Sequence, residues 1–229
     1  MTTLVGHRGA PTLRTENTLP SLRLASDLGA DAVEFDVRSS SDGTPILLHD
    51  RTLERFWGVP RTPGELTLDE LQRLRTGDPD ERIPTLAEVA ETVPIRLVVD
   101  NKEPALVPAV AATLWAVGAL DRSVFIGEWQ VLTVVRERLP EAEIVLSWVG
   151  PDLPPDDLLQ SVRPQALNLR FDSLTEQSVH HAADLGYRMW TYCVDDPAAT
   201  KRALAWDVEG LISNDLAAVR PTLTNANRS

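Results

Sequence analysis

Short hydrophobic runs alternate with amphipathic stretches along the whole chain. The runs predict nine β-strands, at residues 3–6, 32–38, 45–49, 95–101, 123–127, 142–148, 165–170, 187–194 and 210–213. The stretches between most of them predict helices, near residues 17–28, 105–117, 128–139, 155–162, 174–185 and 197–206. Strands that alternate with helices are typical of a parallel sheet whose strands are joined by crossover helices.

Residues suited to helix ends support this pattern. Thr67 with Glu70, and Thr85 with Glu88, match the capping-box spacing, in which two side chains satisfy free backbone amides at a helix start. Gly29 follows the first predicted helix and is suited to the left-handed conformation that ends many helices. We therefore expect two further helices to start at residues 67 and 85, and the first helix to end before Gly29.

The third hydrophobic run is an exception to the alternation. Residues 39–44 link it to the second run, and this link is far shorter than the crossover connection of about a dozen residues that parallel strands need. Its Ser41-Asp42-Gly43 segment is typical of a tight turn. We therefore predict that 45–49 pairs with 32–38 as a hairpin, which leaves eight strands for a (β/α)8 TIM-type barrel.

The length of the chain fits that fold. A single (β/α)8 barrel commonly occupies about 200–250 residues, and this chain has 229. We expect one domain over residues 1–229, with a small insert at 51–84 near the barrel mouth, where Trp57 could stack on a substrate. The polar segment 222–229 is expected to be a flexible tail.

Composition and charge narrow the classes of partner. With 43% hydrophobic and 24% charged residues, the chain has the composition of an ordinary globular protein. Its net charge of −12 argues against binding to nucleic acid or to an anionic membrane surface. One cysteine, Cys193, excludes an intramolecular disulfide, and neither a signal peptide nor an apolar stretch of transmembrane length is evident. We expect a cytoplasmic protein without stable membrane association; its oligomeric state is not predicted.

Two carboxylates and two histidines occupy neighbouring strand-like runs. Glu34 and Asp36 are two residues apart on one predicted strand, so both side chains point to the same face, roughly 6–7 Å apart along it. His7 and His49 lie near the ends of two other hydrophobic runs. Because barrel enzymes carry their chemistry at the carboxyl ends of the strands, we expect these groups and Asp100 to meet at one end of the barrel.

These residue types suit the cleavage of a phosphate ester. Carboxylates on one face can bind a hard divalent cation through oxygen atoms, and two imidazoles can act as general acid and general base. Arg8 and Lys102 can supply positive charge to the phosphate oxygens. For Glu16 two interpretations stay open: it caps the following helix, or it orients His7.

The order of several short motifs resembles the glycerophosphodiester phosphodiesterase family. The motifs are His7-Arg8-Gly9, Glu16-Asn17-Thr18, Gly29-Ala30-Asp31, Glu34-Phe35-Asp36-Val37, Asp42-Gly43, His49-Asp50 and Ile83-Pro84-Thr85-Leu86. Any one of them would be a weak signal, whereas the whole set in this order is a specific one. The similarity is close from about residue 4 to residue 102 and looser beyond, where 192–195 and 212–215 match only in part.

The resemblance implies a phosphodiesterase-type barrel that cleaves glycerophosphodiesters to sn-glycerol 3-phosphate and an alcohol. It also implies Ca²⁺ or Mg²⁺ as the cofactor and a small-molecule phosphodiester as the partner. By the same resemblance, His7 and His49 are the general acid and base, and Glu34 and Asp36 are metal ligands. The third ligand of the family belongs to a Glu-x-Lys motif, which reads Asp100-Asn101-Lys102 here.

Asp100 departs from the family pattern. Aspartate is one methylene shorter than glutamate, and Ca²⁺ accepts the resulting irregular geometry more readily than Mg²⁺ does. Spider-venom-type sphingomyelinases D are similar in having Asp-x-Lys, but their first histidine is not followed by Arg-Gly and they carry a cysteine-bridged loop. Two alternatives to glycerophosphodiester hydrolysis stay open: phospholipase D-like hydrolysis of lysophospholipid or sphingomyelin, and phosphodiester binding without turnover. The sequence does not predict the alcohol, the attacking group or the division of roles between the histidines.

Overall fold

The computed structural model describes residues 2–150 and 153–226 and contains nine β-strands in that part of the chain. Their bounds are β1 Thr3–Gly6, β2 Ala32–Ser39, β3 Pro45–Leu47, β4 Arg96–Asn101, β5 Ser123–Gly127, β6 Glu143–Ser147, β7 Ala166–Arg170, β8 Arg188–Tyr192 and β9 Gly210–Ser213. Every predicted strand is present, although the third and the eighth are shorter than expected.

Eight of these strands close into a parallel barrel. β1 pairs with both β2 and β9, and the ring continues from β2 through β4, β5, β6, β7 and β8 to β9. β3 instead runs antiparallel to β2, with Leu47 opposite Val37 and Pro45 opposite Ser39. The (β/α)8 barrel and the hairpin of the second and third strands are therefore confirmed.

Ten α-helices lie within the described residues. They are α1 Leu19–Asp27, α2 Glu54–Trp57, α3 Leu68–Leu71, α4 Leu86–Thr92, α5 Val107–Ala116, α6 Trp129–Arg138, α7 Asp156–Val162, α8 Glu176–Asp184, α9 Pro197–Ala205 and α10 Leu216–Ala226. Thr67 and Thr85 begin α3 and α4 with the predicted capping boxes, and Gly29 has a φ of +83° after α1. The sequence pattern predicted neither α2 nor α10. No helix among the described residues combines the length and hydrophobicity needed to cross a membrane.

The flexible tail expected over 222–229 overlaps the last helix. α10 continues to Ala226 although it contains Pro221, because Val219 and Leu223 pack against the hydrophobic core. Residues 227–229 lie outside the described residues. The single-domain organisation over 1–229 stays a prediction.

Side chains alternate between the two sides of the barrel wall, as the period of two along a strand requires. The larger hydrophobic cluster lies between the strands and the helices that cover them. A smaller cluster fills the barrel interior and contains Trp190, whose ring is buried. Gly210 of the neighbouring strand makes room for this ring, since a Cβ there would lie 2.4 Å from it.

Polar side chains replace the interior cluster towards the carboxyl ends of the strands. On several strands the residue two positions beyond an interior hydrophobic residue is polar and lines a cavity: His7, Glu34, Asp100, Ser147 and Asn168. The barrel therefore has a hydrophobic floor and a polar layer at the end where barrel enzymes carry their sites.

The insert 51–84 has a hydrophobic cluster of its own. It contains α2, a 3₁₀ turn at Pro63–Glu65 and α3, and its apolar side chains pack on Ile46 and Leu48. Trp57, considered above as a stacking residue, is 8% exposed and belongs to this cluster. That expectation was wrong because the indole packs inside the insert and does not face the barrel mouth.

Candidate active site

The polar layer opens into a cavity of about 720 Å³ at the carboxyl ends of the strands. Its wall includes the residues that the sequence predicts for catalysis, metal binding and phosphate binding: His7, Arg8, Glu34, Asp36, His49, Asp100 and Lys102. They come from β2, β4 and the segments that follow β1, β3 and β4. The closure of the barrel therefore brings these predicted site residues together.

Three carboxylates of neighbouring strands converge in this wall. Asp36 of β2 lies opposite Asp100 of β4 in the parallel register, and Glu34 precedes Asp36 on the same face. Oxygen atoms of the three side chains lie within 4.8 Å of one another. The backbone N–H of Arg8 donates to Glu34 Oε2 at 2.9 Å and fixes its position. Three carboxylates with oxygen atoms this close together suit a hard divalent cation such as Ca²⁺ or Mg²⁺, which prefers oxygen ligands.

The crowding of these carboxylates changes their protonation equilibria. Burial, together with the charges of Asp36 and Asp100, raises the pKa of Glu34 well above its usual value. Burial also raises the pKa of Asp100 to about 6, although the attraction of Lys102 opposes the change. Burial would raise the pKa of Asp36 as well, but the charges of Lys102 and Arg8 keep it lowered. The negative charges of ionised Glu34 and Asp100 are thus not fully balanced by the neighbouring positive charges. A bound cation would balance them.

Two cations border the carboxylates. Lys102 Nζ lies 2.7 Å from Asp36 Oδ1 and 2.5 Å from Asp100 Oδ2. Arg8 Nε lies 3.1 Å from Asp36 Oδ2. Both side chains also line the cavity, so their positive charges are available to an anion that enters it.

A chain of hydrogen bonds orients His7. Its Nδ1 lies 2.7 Å from Oδ1 of Asn214. The Asn214 amide is itself fixed, because its Nδ2 donates to Asp195 at 2.8 Å and its backbone N–H donates to Asp195 at 2.7 Å. Asn214 Oδ1 therefore accepts from a protonated Nδ1, and His7 Nε2, 3.9 Å from Glu34 Oε2, is the nitrogen free for proton transfer. Burial and the charge of Arg8 lower the pKa of His7.

His49 is oriented by its neighbour in the sequence. Its Nδ1 lies 2.8 Å from Asp50 Oδ1, and its backbone carbonyl accepts two hydrogen bonds from Arg38, at 2.9 and 3.1 Å. The side chain of His49 is 38% exposed, against 19% for His7, so it lies nearer the rim of the cavity. Because β3 ends at Leu47, His49 belongs to the following loop and not to the strand end expected from the sequence.

Glu16 has neither of the two roles considered for it. Thr18 caps α1, and the ring of His7 is oriented by an asparagine. Glu16 instead pairs with Arg8 at 2.9 Å and with Arg55 of α2 at 2.6 Å. Glu16 therefore fixes the guanidinium of Arg8, which lines the cavity.

Arg55 connects the insert to the site. Its Nε and Nη2 donate to the carboxylate of Asp50 at 2.7 and 2.9 Å, and its Nη2 and Nη1 donate to Glu16 at 2.6 and 3.2 Å. Ligand atoms of Glu16, His49 and Asp50 also lie within 4.8 Å of one another, but Arg55 already supplies positive charge to both of these carboxylates. Sequence reasoning missed Arg55, because nothing distinguishes it there from an ordinary surface arginine.

Gly127 makes room for Asp100. It ends β5 with a φ of +136°, and a Cβ at this position would lie 2.7 Å from Asp100 Oδ1. A side chain there would strain the backbone and displace the carboxylate. Sequence reasoning also missed this residue, since a glycine at a strand end carries no signal of the neighbouring strand it contacts.

Comparison with known sequences agrees with this geometry. The profile of the glycerophosphoryl diester phosphodiesterase family matches residues 7–218. Glycerophosphodiester phosphodiesterase 1 of Homo sapiens is 41% identical over 96 residues, which are 38% of this chain and 29% of the relative. The match thus spans under a third of that relative's length. A glycerophosphodiester phosphodiesterase of Caldanaerobacter subterraneus is 25% identical over 231 residues, 93% of this chain and 94% of the relative.

Solved structures share the fold. A phosphodiesterase of Oleispira antarctica, solved in complex with the product sn-glycerol-3-phosphate, superposes with a TM-score of 0.91 at 22% identity, covering 98% of this chain and 97% of that one. A glycerophosphodiester phosphodiesterase of Thermotoga maritima superposes with a TM-score of 0.81 at 23% identity, covering 100% and 99%. At such identities the similarity concerns the barrel itself.

Proposed function

The chain belongs to the glycerophosphoryl diester phosphodiesterase family, and on that premise we propose that it hydrolyses glycerophosphodiesters to sn-glycerol 3-phosphate and an alcohol. The observation that carries the proposal is that one cavity is lined by the three converging carboxylates described above together with His7, His49, Arg8 and Lys102. Together these groups can bind a phosphodiester, stabilise its transition state and transfer the two protons that the reaction needs.

We propose Glu34, Asp36 and Asp100 as the ligands of Ca²⁺ or Mg²⁺. When bound, such a cation would polarise a phosphate oxygen and lower the pKa of a nearby hydroxyl group. The missing methylene of Asp100 is no obstacle, because its oxygen atoms already lie within 4.8 Å of those of the other two carboxylates. The absence of a side chain at Gly127 supports this position of the carboxylate.

We propose Arg8 and Lys102 as the phosphate-binding residues. Negative charge grows on the non-bridging oxygens as the transition state forms, and fixed positive charges at the site stabilise it. Glu16 and Asp36 hold the guanidinium of Arg8 from two sides, so little reorganisation is needed when the substrate binds.

His7 and His49 are proposed as the general base and the general acid, respectively. His7 is the deeper of the two and lies beside Glu34, where it can take the proton of the hydroxyl group or water that attacks phosphorus. His49 lies nearer the rim, where it can protonate the leaving alkoxide as the phosphorus–oxygen bond breaks. The Asp50 carboxylate at Nδ1 complements the positively charged ring that donates this proton.

Turnover of glycerophosphocholine by the purified chain tests the proposal. Treatment with EDTA should abolish release of sn-glycerol 3-phosphate, and Ca²⁺ or Mg²⁺ should restore it. His7→Ala and His49→Ala should each lower kcat by a factor of about 10²–10⁴. His180→Ala is the matched control, because His180 is exposed on α8 away from the cavity.

Three outcomes would contradict parts of the proposal. Turnover that survives EDTA would contradict the metal dependence, and turnover that survives both histidine substitutions would contradict the catalytic pair. Turnover of lysophosphatidylcholine without turnover of glycerophosphocholine would favour the phospholipase D-like activity instead.

A further inference from the structure

Among the described residues that line the cavity, two buried polar side-chain atoms accept or donate no hydrogen bond: Arg8 Nε, which is paired with the charge of Asp36, and Oδ1 of Asn168, which has no charged partner. Asn168 of β7 is 4% exposed and lines the cavity. Its Nδ2 donates to Ser147 Oγ of β6 at 3.1 Å, whereas its Oδ1 accepts no hydrogen bond from any described residue. Because a buried acceptor without a donor is unfavourable, this atom indicates a ligand that brings one.

The surroundings of Asn168 indicate what kind of donor is expected. The wall formed by β6, β7 and β8 presents the neutral polar groups of Ser147, Asn168 and Tyr192. The three converging carboxylates belong instead to β2 and β4, and their cations, Arg8 and Lys102, directly follow β1 and β4. A phosphate dianion has no proton to donate to an amide oxygen, and a cation would be drawn to the carboxylates. A hydroxyl group is therefore the donor that suits this wall.

Ser147 adds a second contact beside the first. It lies opposite Asn168 in the register of β6 and β7. Since its Oγ accepts from Asn168 Nδ2, its own O–H group can donate to a further partner. The two residues together offer one acceptor and one donor from adjacent strands, which matches a ligand with neighbouring hydroxyl groups.

We propose that Asn168 and Ser147 bind the free hydroxyl groups of the glycerol moiety, with one hydroxyl donating to Asn168 Oδ1. This inference rests on the proposed hydrolysis of glycerophosphodiesters. It identifies the glycerol moiety as the part of the substrate that the enzyme recognises. An acylated or deoxygenated position has no O–H group to donate, so the pair favours substrates with free hydroxyls over lysophospholipids.

Equilibrium binding tests this subsite without turnover. sn-Glycerol 3-phosphate and n-propyl phosphate share the phosphate and the three-carbon chain and differ only in the hydroxyl groups. In calorimetric titrations with Ca²⁺ or Mg²⁺ present, the unmodified chain should bind glycerol 3-phosphate at least tenfold more tightly than propyl phosphate. Asn168→Leu should weaken binding of glycerol 3-phosphate by a factor of about 10–100 and leave binding of propyl phosphate unchanged.

Thr191→Val provides a matched control on the neighbouring strand. Thr191 is fully buried, donates to the backbone oxygen of Leu169 at 2.7 Å and does not line the cavity, so the ratio of the two affinities should stay unchanged. Asn168→Asp keeps an acceptor oxygen. Its negative charge should weaken the binding of both phosphate compounds but preserve the ratio of their affinities. This second variant keeps the inference testable if the leucine substitution prevents folding.

Two results would overturn the subsite. Equal affinity of the unmodified chain for the two phosphates, or equal weakening of both by Asn168→Leu, would mean that the asparagine has only a structural role. Absence of glycerophosphocholine turnover, with the affinity ratio retained, would refute the hydrolysis and leave the subsite supported. The failures of the two proposals are therefore distinguishable.

Discussion

The carboxylate of Asp100 is expected to destabilise the metal-free protein at neutral pH. Burial raises its pKa from 3.8 to about 6, with Lys102 opposing and Asp36 adding to the shift. The folded protein therefore holds this proton more tightly than the unfolded chain does. A shift of about two pH units corresponds to roughly 3 kcal/mol, because one unit is worth about 1.4 kcal/mol.

The direction of the pH dependence follows from the same shift. Well below pH 3.8 the carboxyl group is protonated in both states, so its ionisation contributes nothing to the free energy of unfolding. Between about pH 4 and pH 6 the unfolded chain loses the proton first, so stability falls as the pH rises. Above about pH 6 the whole penalty is present in protein that lacks a bound cation.

Asp100→Asn removes this charge with little change in shape. We expect the variant to be more stable than the unmodified chain by about 1–3 kcal/mol at pH 7.5 in EDTA, and equally stable near pH 4. The lower value allows for the weaker contact of a neutral amide with Lys102. In a protein of this size a gain of about 2 kcal/mol raises Tm by about 4–8 °C.

Urea unfolding in EDTA, measured from pH 4 to pH 8, gives the difference directly. Asp172→Asn is the control, because the Asp172 side chain is 73% exposed and its charge should hardly matter. Asp100→Asn should also lose most of the stabilisation that Ca²⁺ gives the unmodified chain, since one ligand is neutralised. A variant that is less stable at pH 7.5, or a difference that does not change with pH, would refute this reasoning.

Three further substitutions test single contacts. Gly127→Ala should weaken Ca²⁺ binding about tenfold or more in calorimetry, because the new Cβ would lie 2.7 Å from an oxygen of Asp100. Gly118→Ala is the control: Gly118 is also left-handed but has open space around it, so this substitution should not change Ca²⁺ binding. Arg55→Met should lower kcat about tenfold with little change in KM, and partial rescue by Arg55→Lys is expected; unchanged kinetics would contradict its positioning role. On a substrate with a p-nitrophenol leaving group, His49→Ala should lose much less activity than His7→Ala, because a good leaving group needs no proton; equal losses would contradict the assigned roles.

Much of the barrel could be predicted because its signals are local. Buried parallel strands are continuous hydrophobic runs in the sequence. The capping boxes at Thr67 and Thr85 are each defined by four consecutive residues, so they can be recognised from the sequence alone. The length of the link before β3 was enough to distinguish a hairpin from a crossover. α2 escaped prediction because four residues are too short to show helical periodicity, and α10 escaped because Pro221 suggests an end of structure.

Site residues could be predicted only where a chemically reactive residue type also occurs at a spacing that indicates its position in the fold. Glu34 and Asp36 are recognisable because two residues on one strand share a face. The bond between His7 and Asn214 joins residues 207 positions apart, and it exists because the closed barrel brings the segments after β1 and β9 together. The contacts of Arg55 with Glu16 and of Asn168 with Ser147 likewise depend on neighbours that only the folded chain supplies.

The identity of the phosphorus-containing product tests the central claim most directly. In ³¹P NMR, glycerophosphocholine incubated with the chain and Ca²⁺ or Mg²⁺ should give a growing resonance of sn-glycerol 3-phosphate and none of phosphocholine. The His7→Ala variant should leave the spectrum unchanged over the same time. Phosphocholine as the product, or an unchanged spectrum for the unmodified chain with either metal, would contradict the claim.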